Sequence, residues 1–443
     1  MNLEYLFRMP RLILFFIFIV HFASAQKQVT VYYDGAKKRV QEDFYVSAEN
    51  DQILTGPYKR YYPNGKLEME GSYDDGRRSG TFLEYFPDGT LQRKISYQAG
   101  MRHGTVEVFD ETGKRIQKAF YKNNQLVDSV KSFYSTGSTK NETNFVKGKP
   151  EGLMLEYYPS GILKRETIYK NRKPNGLSKT YYENSIIQIE VNFKDGIING
   201  FYKTYYPNGQ LETISTIKDG EKTGNFKNYD IEGHLLLEGF FTNGRLDGEN
   251  LAYYTDGTVR HRFQYKEGAR TGTNIEYHSN GQVKSKEQVG LNGIDVVEGG
   301  FDDTGKAVYV KHFRKLKPRG TWTYYGADGK TPKLKETYEK GKLHGLRTSY
   351  YPNGEKQTEE MYQYNLITGA LKNYYENGKP ESIAEYRASR PHGLFTSYYA
   401  NGKVKEQGEY VAGKKHKEWK EFDEQGNLTK TYVFKAGILA EEK

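Results

Sequence analysis

Aromatic side chains fall on this chain at a fixed interval of 24 residues, with polar residues filling the spaces between them. If Gly56 is taken as position 1, position 6 is aromatic in every interval, from Tyr61 and Tyr85 to Tyr398 and Phe422. Position 18 is Tyr or Phe throughout, as in Tyr73 and Tyr97, except at Ile217 and Val289. Position 12 is often aliphatic, as in Leu67, Leu91, Leu163, Leu211 and Val404. Glycines keep the same phase at Gly65, Gly89, Gly113, Gly137 and Gly161 and onward to Gly426. Ser185 alone breaks that series, and one step, from Gly329 to Gly354, is 25 residues long. Alternation of apolar and polar residues between the glycines reads as strand, and self-similarity at a fixed period reads as a tandem array of sixteen units.

The stretch "YYPNG" at Tyr61 to Gly65 supplies the reversal. Pro63 presets φ for a type I turn and Gly65 suits the left-handed position of a G1 bulge, which gives a three-residue hairpin loop with Tyr62 opposite Lys66 and Tyr61 opposite Leu67. A second reversal lies in "YDDGRRSG", where Gly76 suits positive φ. Simple two-residue alternation then places positions 6, 12 and 18 on one buried face. Position 7, with Tyr62, Tyr158, Tyr206, Tyr351, Tyr375 and Tyr399, falls on the other. The fold class that follows is all-β: an elongated antiparallel β-hairpin repeat array, a single-layer twisted meander of about 32 strands. A β-solenoid with one coil per repeat is the alternative. The expected organisation is a signal peptide over 1–25, an imperfect first repeat or cap over 26–55, and sixteen repeats over 56–443.

These residues carry a resemblance. The pattern G-x-Y-x-x-Y-Y-x-N-G-x-L, followed by E and then Y-x-x-G, resembles the MORN repeat (membrane occupation and recognition nexus) in its bacterial variant form, over nearly all of 56–443. The resemblance implies a hairpin scaffold that binds proteins or lipids and has no catalytic residues. Bacterial chains of this kind are often labelled YwqK-type antitoxins, so it also implies an immunity partner of a toxin.

Composition shifts this picture in three places. Arg8 and Arg11 precede an apolar run from Leu12 to Phe22 and the small residues "ASA", which reads as a signal peptide cut between Ala25 and Gln26, with an uncleaved anchor as the alternative. An exported protein in the periplasm, cell envelope or outside the cell is therefore expected. The chain has no cysteine, which excludes disulfides, thiolate metal sites and a lipidated cysteine. The net charge of +10 is spread among interspersed Lys and Glu, so nucleic acid is not an expected partner.

Candidate chemistry is sparse. His103, His344, His392 and His416 share position 24, and no zinc-type spacing accompanies them. Glu70, Glu142, Glu166, Glu190 and Glu238 share position 15 and read as a solvated strand face, and "GADGKT" at 326–331 reads as the repeat's own turn. No catalytic residue, metal or cofactor is expected.

Two stretches depart from the repeat: one where Asp128 replaces the position-1 glycine, and one where Val296 does. The second runs into "KHFRKLKPR" at 311–319, where Lys311, Arg314, Lys315, Lys317 and Arg319 form a candidate docking site for an acidic partner or anionic surface. The expected function is an exported non-enzymatic scaffold for protein–protein interaction, with an immunity role implied by the resemblance. The alternative is a binder of cell-wall glycan or an anionic membrane surface, in which the position-7 rings serve as the stacking face.

Overall fold

The structure is a computed structural model that describes residues 26–443. The expected signal segment and Ala25 lie outside the described residues. The chain divides into two compact units, one ending at Ser178 and the other running from Lys179 to Lys443. In the first, Gln26–Tyr32, Val40–Ser47, Leu54–Tyr61, Leu67–Asp74 and Arg77–Tyr85 pair antiparallel in chain order, and the meander continues in the same way to Leu163–Lys170. In the second, Ile187–Lys194, Ile197–Tyr205 and Leu211–Lys218 begin the same order, which ends at Ile438–Glu442. No helix occurs among the described residues. The chain is an all-β antiparallel hairpin meander.

The repeated pentapeptide forms the loop its residues predict. Tyr62 N–H donates to Lys66 O and Gly65 N–H to Tyr62 O, each at 2.8 Å, with Gly65 at φ 84°. Its side chains also reach the next repeat. Tyr62 Oη donates to Tyr85 O at 2.7 Å, and Asn64 Nδ2 donates to Pro87 O at 2.9 Å while its Oδ1 accepts from Lys66 N–H. Tyr206 and Asn208 repeat both bonds, to Tyr229 O and Ile231 O. In the 26–55 segment, Tyr33 Oη donates in the same way to Tyr61 O. At the opposite end of most hairpins a two-residue turn such as Asp75 and Gly76, both at positive φ, fits the type I′ geometry that matches strand twist.

The faces differ from the simple alternation. Pairing steps from Tyr61–Leu67 to Arg60–Met69 and leaves Glu68 without an opposite number. This bulge inverts the alternation beyond it, so positions 6 and 18 lie on opposite faces. Position 18 packs instead with position 3, which the repeat pattern did not single out. Ring centroids of Tyr58, Tyr73, Phe82 and Tyr97 follow one another at 5.4, 5.5 and 5.2 Å, edge to face. Tyr58, Met69 and Phe82 are the buried cluster of this region. Position 16 completes the stripe and is a glycine beneath two of the position-3 rings: a Cβ added at Gly71 would lie 2.6 Å from the Phe82 ring, and Trp419 covers Gly408 in the same manner.

Position 6 sits on the other face, where it meets the position-15 glutamates. Tyr85 donates to Glu70 at 2.7 Å, Tyr205 to Glu190 at 2.8 Å, Tyr253 to Glu238 at 2.6 Å and Tyr374 to Glu359 at 2.6 Å. These glutamates are acceptors for the next repeat rather than a merely solvated face. Burial, reinforced by the glutamate, pushes each of the four phenols up to about 12.

Position 1 decides the second irregularity. Gly56, Gly80 and Gly104 take positive φ, as do the substitutes Asp128 and Lys417, and the ladder shifts register beside them. Val296 does not. A β-branched residue is strongly disfavoured there, so the strand runs straight, with Val289 opposite Val296 and Glu287 opposite Glu298. With the 24-residue spacing unchanged, the residues released from the bulge lengthen the preceding loop around Leu291.

Candidate functional site

The long loop at 290–294 and the next turn, at Lys315 and Leu316, stand side by side, joined by Lys315 N–H donating to Ile294 O at 2.8 Å. Each carries a leucine into solvent. Leu291 is 111% exposed and Leu316 is 91% exposed, values expected of a free side chain and not of a strand face. Leu316 has φ 62° at a position where Gly76, Gly100 and Gly148 serve in other repeats. A left-handed leucine costs about 1–2 kcal/mol, and strain of this kind gathers at functional sites.

Around these tips lie Arg314, Lys315, Lys317 and Arg319, which with Lys340 line a groove of about 500 Å³. Acidic neighbours are few. Asp295 Oδ1 lies 3.7 Å from Arg314 and 3.9 Å from Arg319, and Glu339 lies 3.9 Å from Lys340. Cations are thus in excess on this edge, and the contacts with Asp295 are long and exposed enough to exchange for a partner's carboxylates.

Of the five basic residues expected to act together, four gather at this turn and Lys311 does not. Its ammonium lies over the rings of Tyr309, Trp322 and Tyr324 at 4.1, 5.2 and 5.5 Å. Tyr309 in turn donates to Glu298 at 2.6 Å. Lys311 belongs to a polar stretch of the position-3 and position-16 stripe. That stretch also holds Arg347 between Glu336 and Glu360, at 3.1 and 2.9 Å.

The position-7 tyrosines form a ladder along the loops. Tyr62, Tyr206, Tyr351, Tyr375 and Tyr399 each donate to a backbone carbonyl of the next repeat at 2.7–3.0 Å. Tyr158 holds the equivalent place, its N–H on Ile162 O. Gln26 begins the first described strand. Leu291, Leu316, Asp295 and Lys340 were not singled out by the repeat pattern, although Leu316 in a glycine position was a readable signal.

The architecture defines a tandem β-hairpin repeat protein. The MORN repeat variant family matches at residues 54–75, 78–99, 102–123, 150–171, 174–195, 199–219, 270–289, 343–364, 367–388 and 391–412, and the chain belongs to that family. No curated protein matches it in sequence. Among solved structures it is similar to the Photorhabdus luminescens Tc holotoxin pore, at 10% identity and TM-score 0.13, over 88% of this chain and 27% of that one. It is also similar to the TcdB2–TccC3–Cdc42 complex, at 10% identity and TM-score 0.11, over 94% of this chain and 31% of that one. The chain therefore spans about a third or less of the length of these structures.

Proposed function

We propose that this protein is an exported, non-catalytic docking scaffold whose partner is an acidic protein surface seated on the turns around Leu291 and Leu316. The observation that carries the reading is the pairing of two solvent-exposed leucines with a local excess of cations on one edge. Apolar anchors supply the affinity of such a contact, and the surrounding charges set its orientation and on-rate. Were the partner a toxin, the protein would act as its immunity factor, the role the family label implies.

The same observation favours a second reading, an anionic membrane surface, where leucines insert and cations meet headgroups. One experiment separates the two. A photo-crosslinking residue at Lys317 should trap a protein from envelope extract. The trap should be lost in the Lys315→Glu, Arg319→Glu, Lys340→Glu variant and weakened at about 0.5 M salt. Sedimentation with phosphatidylglycerol vesicles and no trapped protein would select the membrane. Trapping that survives the charge reversals would remove this edge from the function.

A further inference from the structure

The second unit holds another recess, on the sheet face that carries the position-3 stripe. It has a volume of about 690 Å³, within the range of small-molecule sites. Its floor is a mixed aromatic and polar stretch of that stripe. Phe226 at position 3 is followed across the sheet by Gly239, then by Asn250 where a ring stands at Tyr58, Phe82, Phe395 and Trp419, and then by Phe263. The Asn250 amide is smaller than those rings, and the space beside Phe226, Phe241 and Phe263 is open.

The polar atoms left there are unsatisfied. Ser215 and Asn250 are 3% and 4% exposed, both line the recess, and neither Ser215 Oγ nor Asn250 Oδ1 has a hydrogen-bond partner. Among the described residues such orphaned side-chain atoms occur in one other place, at His344. The next repeat provides a control. Asn274, equally buried at the same position, accepts from Gln264 N–H at 2.8 Å. An acceptor held out of water without a donor costs about 1–3 kcal/mol, a cost that a donor-bearing ligand would remove. The charges are one-sided: Lys222 and Arg260 line the recess and no Asp or Glu does. Lys222 Nζ stands over the Phe241 ring at 5.4 Å.

We infer that this recess binds a small aromatic carboxylate whose flat ring packs beside Phe226, Phe241 and Phe263. A ring N–H or O–H of the ligand donates to Asn250 Oδ1, and its carboxylate meets Lys222 and Arg260. Ser215 Oγ is free to bond either end.

Three probes titrated against the full chain by calorimetry test this. Indole-3-acetate should bind saturably with Kd below about 1 mM. Naphthalene-1-acetate keeps the ring and charge but has no N–H, and should bind at least about tenfold more weakly. Tryptamine, which reverses the charge, should not bind. Asn250→Leu should erase the difference between the two acids, and Leu237→Trp, which fills the recess, should abolish binding of both. Failure of indole-3-acetate to bind, equal affinity for the two acids in the unsubstituted chain, or unchanged binding in Leu237→Trp would each overturn the assignment.

Discussion

Gly71 and Phe82 should behave as one unit, and a double-mutant cycle can show it. Phe82 is 0% exposed and lies over Gly71, so Phe82→Ala removes a fully buried ring and leaves a cavity, at a cost of about 3–5 kcal/mol. Gly71→Ala places a methyl 2.6–2.7 Å from three ring atoms, closer than side chains approach, and must push the ring aside, at a cost of about 1–3 kcal/mol. In the double variant the methyl enters space the ring has vacated. The combined cost should therefore fall short of the sum by about 1–2 kcal/mol, the coupling expected of residues in direct contact. Repeat arrays open locally, so the readout is hydrogen exchange of the amides in Leu67–Asp74 and Leu91–Gln98 rather than a global melt. Additivity within about 0.5 kcal/mol would show that the ring does not rest on the glycine.

The tyrosine–glutamate pairs make stability sensitive to alkali. The folded chain holds the Tyr85, Tyr205, Tyr253 and Tyr374 protons up to about 12. An unfolded tyrosine releases its proton near about 10, so their contribution is intact below that pH and is lost as pH rises toward the folded values. Replacing all four with Phe should shrink the loss of circular dichroism signal over that interval, and an unchanged loss would refute the pairing. Leu316→Gly should relieve the left-handed strain and stabilise the local turn by about 1 kcal/mol, read by slower exchange around residues 309–324, while weakening capture of the partner. A destabilised turn would show that the leucine is held by packing and not tolerated for function.

The period, the two turns and the hairpin order were legible because each depends on residues with singular backbone behaviour: Pro63, Asn64, Gly65 and Gly76. The faces were not. One unpaired residue, Glu68, inverts the alternation, and nothing in "KLEME" distinguishes a bulge from a continuous strand. Position 3 escaped notice because it varies among Tyr58, Phe82, Ser178, Asn250 and Arg347, so that no single residue type recurs there. It packs with position 18 because the Glu68 bulge brings both to one face, which is a property of backbone geometry. The basic run was visible as composition, but only the structure separates Lys311, enclosed by rings, from the four cations at the turn.

Repetition itself explains where a site can be. In each copy of "YYPNG" the tyrosine hydroxyl and the asparagine amide are committed to the following repeat, so the stretch that most invites a functional reading is a staple between neighbours. A surface made of identical staples presents the same chemistry at every step and cannot mark one place along the array. Specific recognition has to come from positions where the rule fails, and the two strongest failures differ in kind. Val296 cannot adopt the glycine conformation, so a bulge disappears and a loop lengthens, which exposes Leu291 beside a strained Leu316. Asn250 is smaller than the rings that stand at its position in Phe82, Phe226 and Trp419, a recess lies beside it, and an acceptor is left without a donor. The first failure adds projecting apolar and cationic groups, which suits a macromolecular surface, whereas the second removes volume, which suits a small ligand. Charge reversal at Lys315, Arg319 and Lys340 should therefore leave indole-3-acetate binding intact, and Leu237→Trp should leave crosslinking at Lys317 intact. If either substitution abolished both activities, the two places would be one coupled site.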